Sequence, residues 1–261
     1  MRERLAHSFR TSAQRVLAIA RYTLSAVVRG KLGLLLAAMA GLLVAAAHWL
    51  QGFHFGREEI RFLATSGVGL IGLAGTLLAL ILPPQLFLSE QAAGTTACLL
   101  ARGVRRGEYL VGMLTGIGAA LALATGFLGT VLGVMLAVRS HQLGAVERAA
   151  WPLLAACAVQ WMKVSLTAAL TLCVATTTRS MLFAIGAGVL AVVIGHLRPF
   201  ASGSLEWLRV WPNLGMFDGA AVFASDGRSV QPALCGLALY WALFTAWLAA
   251  LATYVFSFRE F

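Results

Sequence analysis

The polar residues best placed for chemistry lie close together in residues 89–113, between two long apolar runs. This segment is too polar to continue either run and too short to form a domain. Its pattern is amphipathic, which is typical of a short helix lying along a membrane surface. The alternative is an ordinary connection between two membrane helices, with basic residues that mark the inner side of the membrane. Its candidate residues are Glu90, Gly94, Thr95, Leu99, Leu100, Arg102, Arg105, Arg106, Glu108 and Tyr109.

Lys163 is the second candidate, because it is the one full charge near the middle of an apolar run. A charge at that depth costs about 2.5–3.5 kcal/mol on insertion scales, so it normally faces a cavity, a partner helix or a functional group. No Asp or Glu lies within any predicted span to neutralise it. Two interpretations follow. The lysine lines a wet pathway and meets an anionic substrate group, or it snorkels or is deprotonated within the helix bundle.

Motifs for nucleotide hydrolysis and metal binding are missing from the sequence. It has no G-x-x-x-x-G-K-[ST] phosphate loop, so ATP hydrolysis by that motif needs another polypeptide. The four cysteines show no CxxC spacing. Histidines without a metal role are the preferred interpretation, although a copper or zinc site on the predicted outer side is the alternative. We therefore predict no catalytic residue, no metal site and no cofactor in this chain.

Composition places the chain among polytopic membrane proteins. Of its 261 residues, 60% are hydrophobic and only 11% are charged, whereas soluble domains have about 25% charged residues. The net charge of +10 could suggest a nucleic-acid partner. We reject that function, because the basic residues lie beside apolar runs and form no single soluble basic face.

Charge-poor runs predict an all-α protein with six transmembrane helices, since a span needs about 20 apolar residues. The predicted spans cover residues 32–54, 62–88, 109–138, 149–178, 180–197 and 229–258, which together make one transmembrane domain, 32–261. Residues 1–31 carry seven basic residues, and apolar positions recur there at helical spacing. They predict an amphipathic interfacial helix that leads into the first span. Residues 89–108 form the connection on the inner side, and the outer loop 198–228 is expected to contain a short helix.

Basic residues also predict the orientation. With the N-terminus in the cytosol, twelve basic residues fall on the inner side and seven on the outer side. This bias favours a cytosolic N-terminus and C-terminus. A short helix in the outer interface is expected around four apolar residues, namely Leu205, Trp207, Leu208 and Trp211.

Prolines and glycines predict two features of helix packing. The pair Pro83-Pro84 removes two backbone donors, so we expect a kink or a helix end there. Glycine pairs at i,i+4 let membrane helices approach closely. The third span contains two such pairs, Gly112-x-x-x-Gly116 and Gly129-x-x-x-Gly133.

Residues 89–113 resemble the loop between the second and third membrane helices of ABC-2-type transporter permeases. The resemblance rests on Glu90, Gly94-Thr95, Leu99-Leu100, Gly103-Val104, Arg105-Arg106, Tyr109-Leu110 and Gly112-Met113, in that order. Gly103 stands where proline is usual, and Met113 stands where lysine is usual. Within this family, the chain is loosely similar to the permeases of copper-enzyme maturation systems.

The resemblance implies a type-V-exporter-like (ABC-2) topology in a bacterial inner membrane. It also implies three kinds of partner: a dimer of a cytosolic ABC ATPase subunit that binds ATP and magnesium, a second copy of this permease or a homologous one, and membrane lipid. Residues 89–108 would couple the ATPase to the spans, with Arg102, Arg105 and Arg106 facing acidic ATPase surface or lipid phosphate. Glu90 and Glu108 would fix the ends of the coupling helix. Lys163 would lie on the substrate pathway.

Two other classes of function are weighed against this one. An ion-coupled secondary carrier would need acidic residues within the membrane, and the predicted spans contain none. A membrane-embedded enzyme would need clustered His, Asp or Glu side chains, and none is visible in the sequence. Co-purification of an ATPase subunit would separate the transporter from both alternatives.

Overall fold

The computed structural model describes residues 2–30, 36–42, 44–45, 58–142, 150–198, 211–224 and 230–258. All regular structure in these residues is helical. The principal helices are α1 (Arg2–Arg29), α2 (Glu58–Ala92), α3 (Thr95–Ala101), α4 (Arg106–Gln142), α5 (Ala150–Thr177), α6 (Met181–Leu197), α7 (Gly219–Ala224) and α8 (Val230–Ser257). A 3-10 turn, Leu214–Met216, precedes α7.

Among the described residues, four helices are long and apolar enough to cross a membrane, namely α2, α4, α5 and α8. They match the predicted second, third, fourth and sixth spans, which confirms a helical polytopic membrane protein. The predicted fifth span corresponds to α6, which is apolar but shorter, with 17 residues. Most of the predicted first span lies outside the described residues, although residues 36–42 and 44–45 are helical.

Helix α5 is the centre of the bundle. It packs against α2, α4, α6, α7 and α8. Of the most apolar part of α5, 67% is buried within the protein, against 6% for α8. Helix α8 therefore presents most of its surface outward, and α5 is the span that the others surround.

The predicted glycine pairs of α4 lie at close helix contacts. A Cβ atom at Gly116 would lie 2.6 Å from the backbone carbonyl oxygen of Ala20 in α1. A Cβ atom at Gly129 would lie 2.6 Å from the sulfur of Cys157 in α5. The glycine pair that contains Gly116 therefore lies where α1 packs against α4. The pair that contains Gly129 lies where α5 packs against α4. Since Ser12 contacts Glu108 and Ala20 contacts Gly116, α1 runs parallel to the first turns of α4.

Helix α2 continues through Pro83 and Pro84 to Ala92, so of the two expected outcomes, a kink or a helix end, the helix end is wrong. Pro83 has no N–H for the carbonyl of Ala79, four residues earlier. The hydroxyl of Thr171 in α5 donates to that carbonyl at 2.7 Å. A neighbouring helix thus supplies the missing donor, which is how membrane helices tolerate internal proline.

Residues 211–224 fold back into the bundle. Leu214 and Phe217 are fully buried, and α7 packs against both α2 and α5. The indole N–H of Trp211 donates to the carbonyl of Ala191 in α6 at 2.9 Å. The short helix expected around residues 205–211 therefore does not include Trp211, and residues 199–210 lie outside the described part. The short helix that the structure shows in this loop is α7.

Thr171→Val keeps the shape of the side chain but leaves the Ala79 carbonyl without its donor. We expect the free energy of unfolding in mixed detergent micelles to fall by about 1–3 kcal/mol. Thr125→Val is the matched control. Thr125 is also buried, but its hydroxyl donates only to Leu121 and Ala122 of its own helix.

Pro83→Ala restores a backbone N–H for the same carbonyl. The Thr171→Val change should therefore cost clearly less stability in the Pro83→Ala background than in the wild-type chain. Equal costs in the two backgrounds would show that the hydroxyl does not replace the missing donor.

Candidate functional site

The short helix α3 stands between the ends of α2 and α4, within the segment that the sequence singled out. Gly94 precedes it in the left-handed conformation, with φ 71°. The helix ends in a Schellman motif, in which Gly103 N–H donates to Leu100 and Val104 N–H donates to Leu99, at 3.1 and 3.4 Å. Both ends of α3 are therefore fixed by backbone geometry.

Gly103 is a position where the segment differs from the ABC-2 pattern that it resembles. Its φ is 79°, a left-handed conformation that suits glycine. Proline, the usual residue at this position in the family, has φ fixed near −65° and could not adopt it. Leu99 and Val104, which flank the motif, pack together on the same hydrophobic core. The glycine thus allows the Schellman motif that ends α3.

A buried hydrogen-bonded group lies beneath α3. The hydroxyl of Tyr109 in α4 donates to the Glu90 carboxylate in α2 at 2.5 Å. The hydroxyl oxygens of Tyr109 and Thr96 lie 3.3 Å apart, and Thr96 belongs to α3. All three side chains are buried, with exposed fractions of 0% for Tyr109, 1% for Thr96 and 7% for Glu90. Three helices are therefore joined by one polar group in an apolar surrounding.

The C-terminal end of α8 completes this assembly. Phe256 packs against the rings of Tyr109 and Phe87, with centroid distances of 6.2 and 5.6 Å. The Arg106 guanidinium donates to the carbonyls of Phe256 and Ser257 at 2.8 and 2.6 Å. It thereby satisfies carbonyls that lack helical partners at the end of α8, a favourable place for a cation.

Helix α1 contacts the same region through Glu108. Its carboxylate accepts hydrogen bonds from the Ser12 hydroxyl and from the backbone N–H of Arg105, the latter at 3.1 Å. Arg15 lies 3.7 Å from the carboxylate and donates to the Gly103 carbonyl at 3.0 Å. The bond from Glu108 back to Arg105 is half of a capping box at the start of α4.

These contacts change the roles that the sequence suggested for three residues. Glu90 was expected to fix the end of α3, but it bonds Tyr109 of α4 beneath that helix. Glu108 caps α4 and bonds α1. Arg106 was expected to face a partner, but its guanidinium is bound to the end of α8.

The outer side of α3 and of the turn that follows it is exposed. Cys98, Arg102 and Arg105 are exposed, whereas Thr95 and Leu100 are half-buried. The two exposed arginines flank the glycine turn that ends the helix. The positive charge on this side therefore lies at the turn that follows α3.

Lys163 lies at the middle of α5 and is half-buried. The predicted spans contain no acid, but Asp218, in the loop before the last span, lies close enough to interact with Lys163 electrostatically. The Asp218 carboxylate also accepts from the backbone N–H groups of Ala220 and Ala221 at 3.0 and 3.3 Å. The folded-back segment therefore brings an acid to the lysine.

Gln160 is a neighbouring polar residue that sequence reasoning missed. It is 5% exposed and lies between two glycines, Gly72 of α2 and Gly219 of α7. A Cβ atom at either glycine would come within 3.0 Å of its amide group. The only sequence signal was a polar residue three positions before Lys163. Nothing in the sequence indicated that Gly72, Gly219 and Asp218 lie near these two residues in the fold.

The described residues hold no group of three His, Cys, Asp or Glu side chains that could bind a metal ion. No protein-family model matches the chain, and no curated protein matches it significantly. The resemblance to ABC-2-type permeases therefore rests on the residues of the segment itself.

Proposed function

We propose that this chain is the permease subunit of an ABC transporter, in which α3 transmits the motion of a separate ATPase subunit to the spans. The observation that carries the proposal is the geometry around α3. Helix α3 is followed by two exposed arginines, Arg102 and Arg105, and it rests on a buried group that joins it to α2 and α4. A force applied to α3 would reach two membrane helices through direct contacts.

The proposed partner is a cytosolic ATPase dimer that binds ATP and magnesium. Closure of that dimer would move α3 in a groove on its surface. The motion would pass to α2 through Glu90 and to α4 through Tyr109, and Arg106 would carry it to the end of α8. Arg102 and Arg105 are the charges available to an acidic groove.

The pathway is proposed to form between two permease copies, in the bacterial inner membrane, since one chain of this size supplies only half of a passage. Lys163 would meet an anionic group of the substrate on that pathway. Its electrostatic interaction with Asp218 implies that the substrate competes with an internal carboxylate for the ammonium group. Substrate binding would then loosen the segment 211–224.

An ion-coupled carrier is the second candidate, because Asp218 supplies an acid near a half-buried lysine. Proton-coupled carriers use such pairs within the membrane. The two candidates differ in their energy source. Transport that persists in vesicles after the ATPase subunit is removed would favour the carrier.

Topology is tested by cysteine labelling in intact cells. We expect a cysteine at Arg102 to be inaccessible to a membrane-impermeant maleimide until the inner membrane is opened. The native Cys98 and the other native cysteines are first replaced by serine. External labelling at position 102 would place α3 on the wrong side for an ATPase.

Docking is tested by reversing the two exposed charges that follow α3, while Arg106 is left to hold α8. The double change Arg102→Glu with Arg105→Glu should reduce co-purification of the ATPase and substrate-stimulated ATP hydrolysis. Each single change should have a small effect, since exposed ion pairs contribute under about 1 kcal/mol.

The matched control is the double change Arg102→Gln with Arg105→Gln, which removes the charge but adds no repulsion. It should retain more ATPase than the Glu pair, and both variants should insert and fold normally. If the Glu pair co-purifies with as much ATPase as wild type and transports at the full rate, this segment is only a connecting loop.

The role of Lys163 is tested by a double-mutant cycle with Asp218. We expect Lys163→Met and Asp218→Asn each to lower stability, and the double variant to lose less than their sum, with a coupling of about 1 kcal/mol. Transport should stay low in the double variant, because the substrate would still lack its cation. Restored transport in the double variant would show that Lys163 only stabilises the fold with Asp218 and does not bind substrate.

A further inference from the structure

An apolar groove lies on the outward side of the bundle between α4, α5 and α8. Its volume is about 990 Å³, at the upper end of the range for ligand pockets. Small residues of α8 form one wall, including Ala242, Ala246, Ala249, Ala250 and Thr253. Groups from α4 and from α5 form the rest. Between Trp241 and Tyr254, every residue of α8 that lines the groove has a small side chain, which leaves this space open.

Two tryptophans close the groove at one end. Trp161 of α5 and Trp241 of α8 have ring centroids 5.1 Å apart. Each ring is held by a hydrogen bond, from Trp161 to the Gly118 carbonyl at 2.9 Å and from Trp241 to the Ser165 hydroxyl at 2.8 Å. Each lies eleven residues from the start of its helix, or about 16 Å along the axis. The closed end is therefore near the middle of the membrane.

From this closed end the groove runs towards the α3 end of the bundle. Its last lining residues there are Val111, Thr253 and Tyr254. From Trp241 to Tyr254, the axis of α8 rises by about 20 Å. Half of the hydrocarbon core of a bilayer is about 15 Å thick. The groove thus covers the depth of one leaflet and stops at the midplane.

Positive charge stands at the open end. The guanidinium of Arg106 is bound to the carbonyls of Phe256 and Ser257, which directly follow the last groove residues of α8. Gly107 contacts Thr253, so the start of α4 meets the groove at this level. Arg105 is exposed beside it. Arginines at this depth attract the phosphate of anionic lipids.

We propose that this groove binds one acyl chain of an anionic phospholipid from the leaflet on the α3 side, with its phosphate near Arg105 and Arg106. The length of the groove favours a lipid over a second copy of this chain. A transmembrane helix of a partner would need a groove along about 30 Å, through both leaflets, whereas the tryptophans end this one halfway. The proposal does not depend on the ATPase partner.

The binding site is tested with the purified chain in phosphatidylcholine vesicles that contain a small fraction of phosphatidylglycerol. The phosphatidylglycerol carries a photoreactive diazirine near the end of one acyl chain. After illumination, adducts are located by mass spectrometry of peptides. We expect saturable labelling concentrated on the peptides that contain Trp161 and Trp241. Labelling spread evenly over the exposed faces of the spans would overturn the proposal.

Filling the groove should abolish this labelling. Ala246→Phe places a large ring inside the groove, and Ala250→Leu fills part of it with a smaller aliphatic side chain. Leu243→Phe is the matched control, because Leu243 is on the same helix, is 62% exposed and does not line the groove. Labelling that persists in both filled variants, each with the unfolding temperature of wild type, would contradict the proposal.

Headgroup preference is tested by comparing the same probe built on phosphatidylcholine. Arg105→Gln should reduce the preference for phosphatidylglycerol by about five-fold, which corresponds to one basic residue at an anionic surface. If Arg105→Gln leaves the preference for phosphatidylglycerol unchanged, the proposed contact between Arg105 and the lipid phosphate is wrong. Covalent dimers from Ala246→Cys at low protein density would show that a second copy covers the groove, which would overturn it.

Discussion

The hydrogen bond between Tyr109 and Glu90 is the interaction on which the organisation of the α3 end depends. It joins α2 to α4 in a place from which water is excluded, and Thr96 adds α3 to the pair. A buried carboxylate without such a donor would be costly, so the three helices are held in one arrangement. The Phe256 ring and the Arg106 guanidinium then fasten α8 to the same point.

The same principle recurs deeper in the bundle, where polar groups of one helix satisfy those of another. Thr171 supplies the donor that Pro83 lacks, and Trp241 donates to Ser165. Asp218 approaches Lys163 from a segment that folds back between spans. In a hydrocarbon surrounding, an unsatisfied polar group costs several kcal/mol. These bonds therefore specify which helices are neighbours, while the glycines of α4 set how closely they approach.

Local patterns in the sequence were sufficient to predict four of the spans, the N-terminal helix and the glycine contacts. Each of these features follows from residues that are close together in the sequence, either as a run of apolar residues or as residues that recur at helical spacing. Contacts between distant residues could not be predicted in this way. Arg106 and Phe256 are 150 positions apart, and Asp218 reaches Lys163 only because residues 211–224 fold inward. The tolerance of Pro83 depends on Thr171, a residue of another helix, so the sequence around the proline gave no sign of it.

The most direct measurement of the central claim uses the native Cys98, which is exposed on α3. A photoreactive cross-linker attached there, in membranes of the source cells, should capture one separate polypeptide, identified by mass spectrometry as an ATP-binding cassette ATPase. Cys235 in α8 is also exposed and serves as the internal control, because it lies near the opposite end of its span from α3. Capture from Cys98 but not from Cys235 is the predicted result. Capture of no ATPase from Cys98, with only lipid adducts formed, would contradict the account.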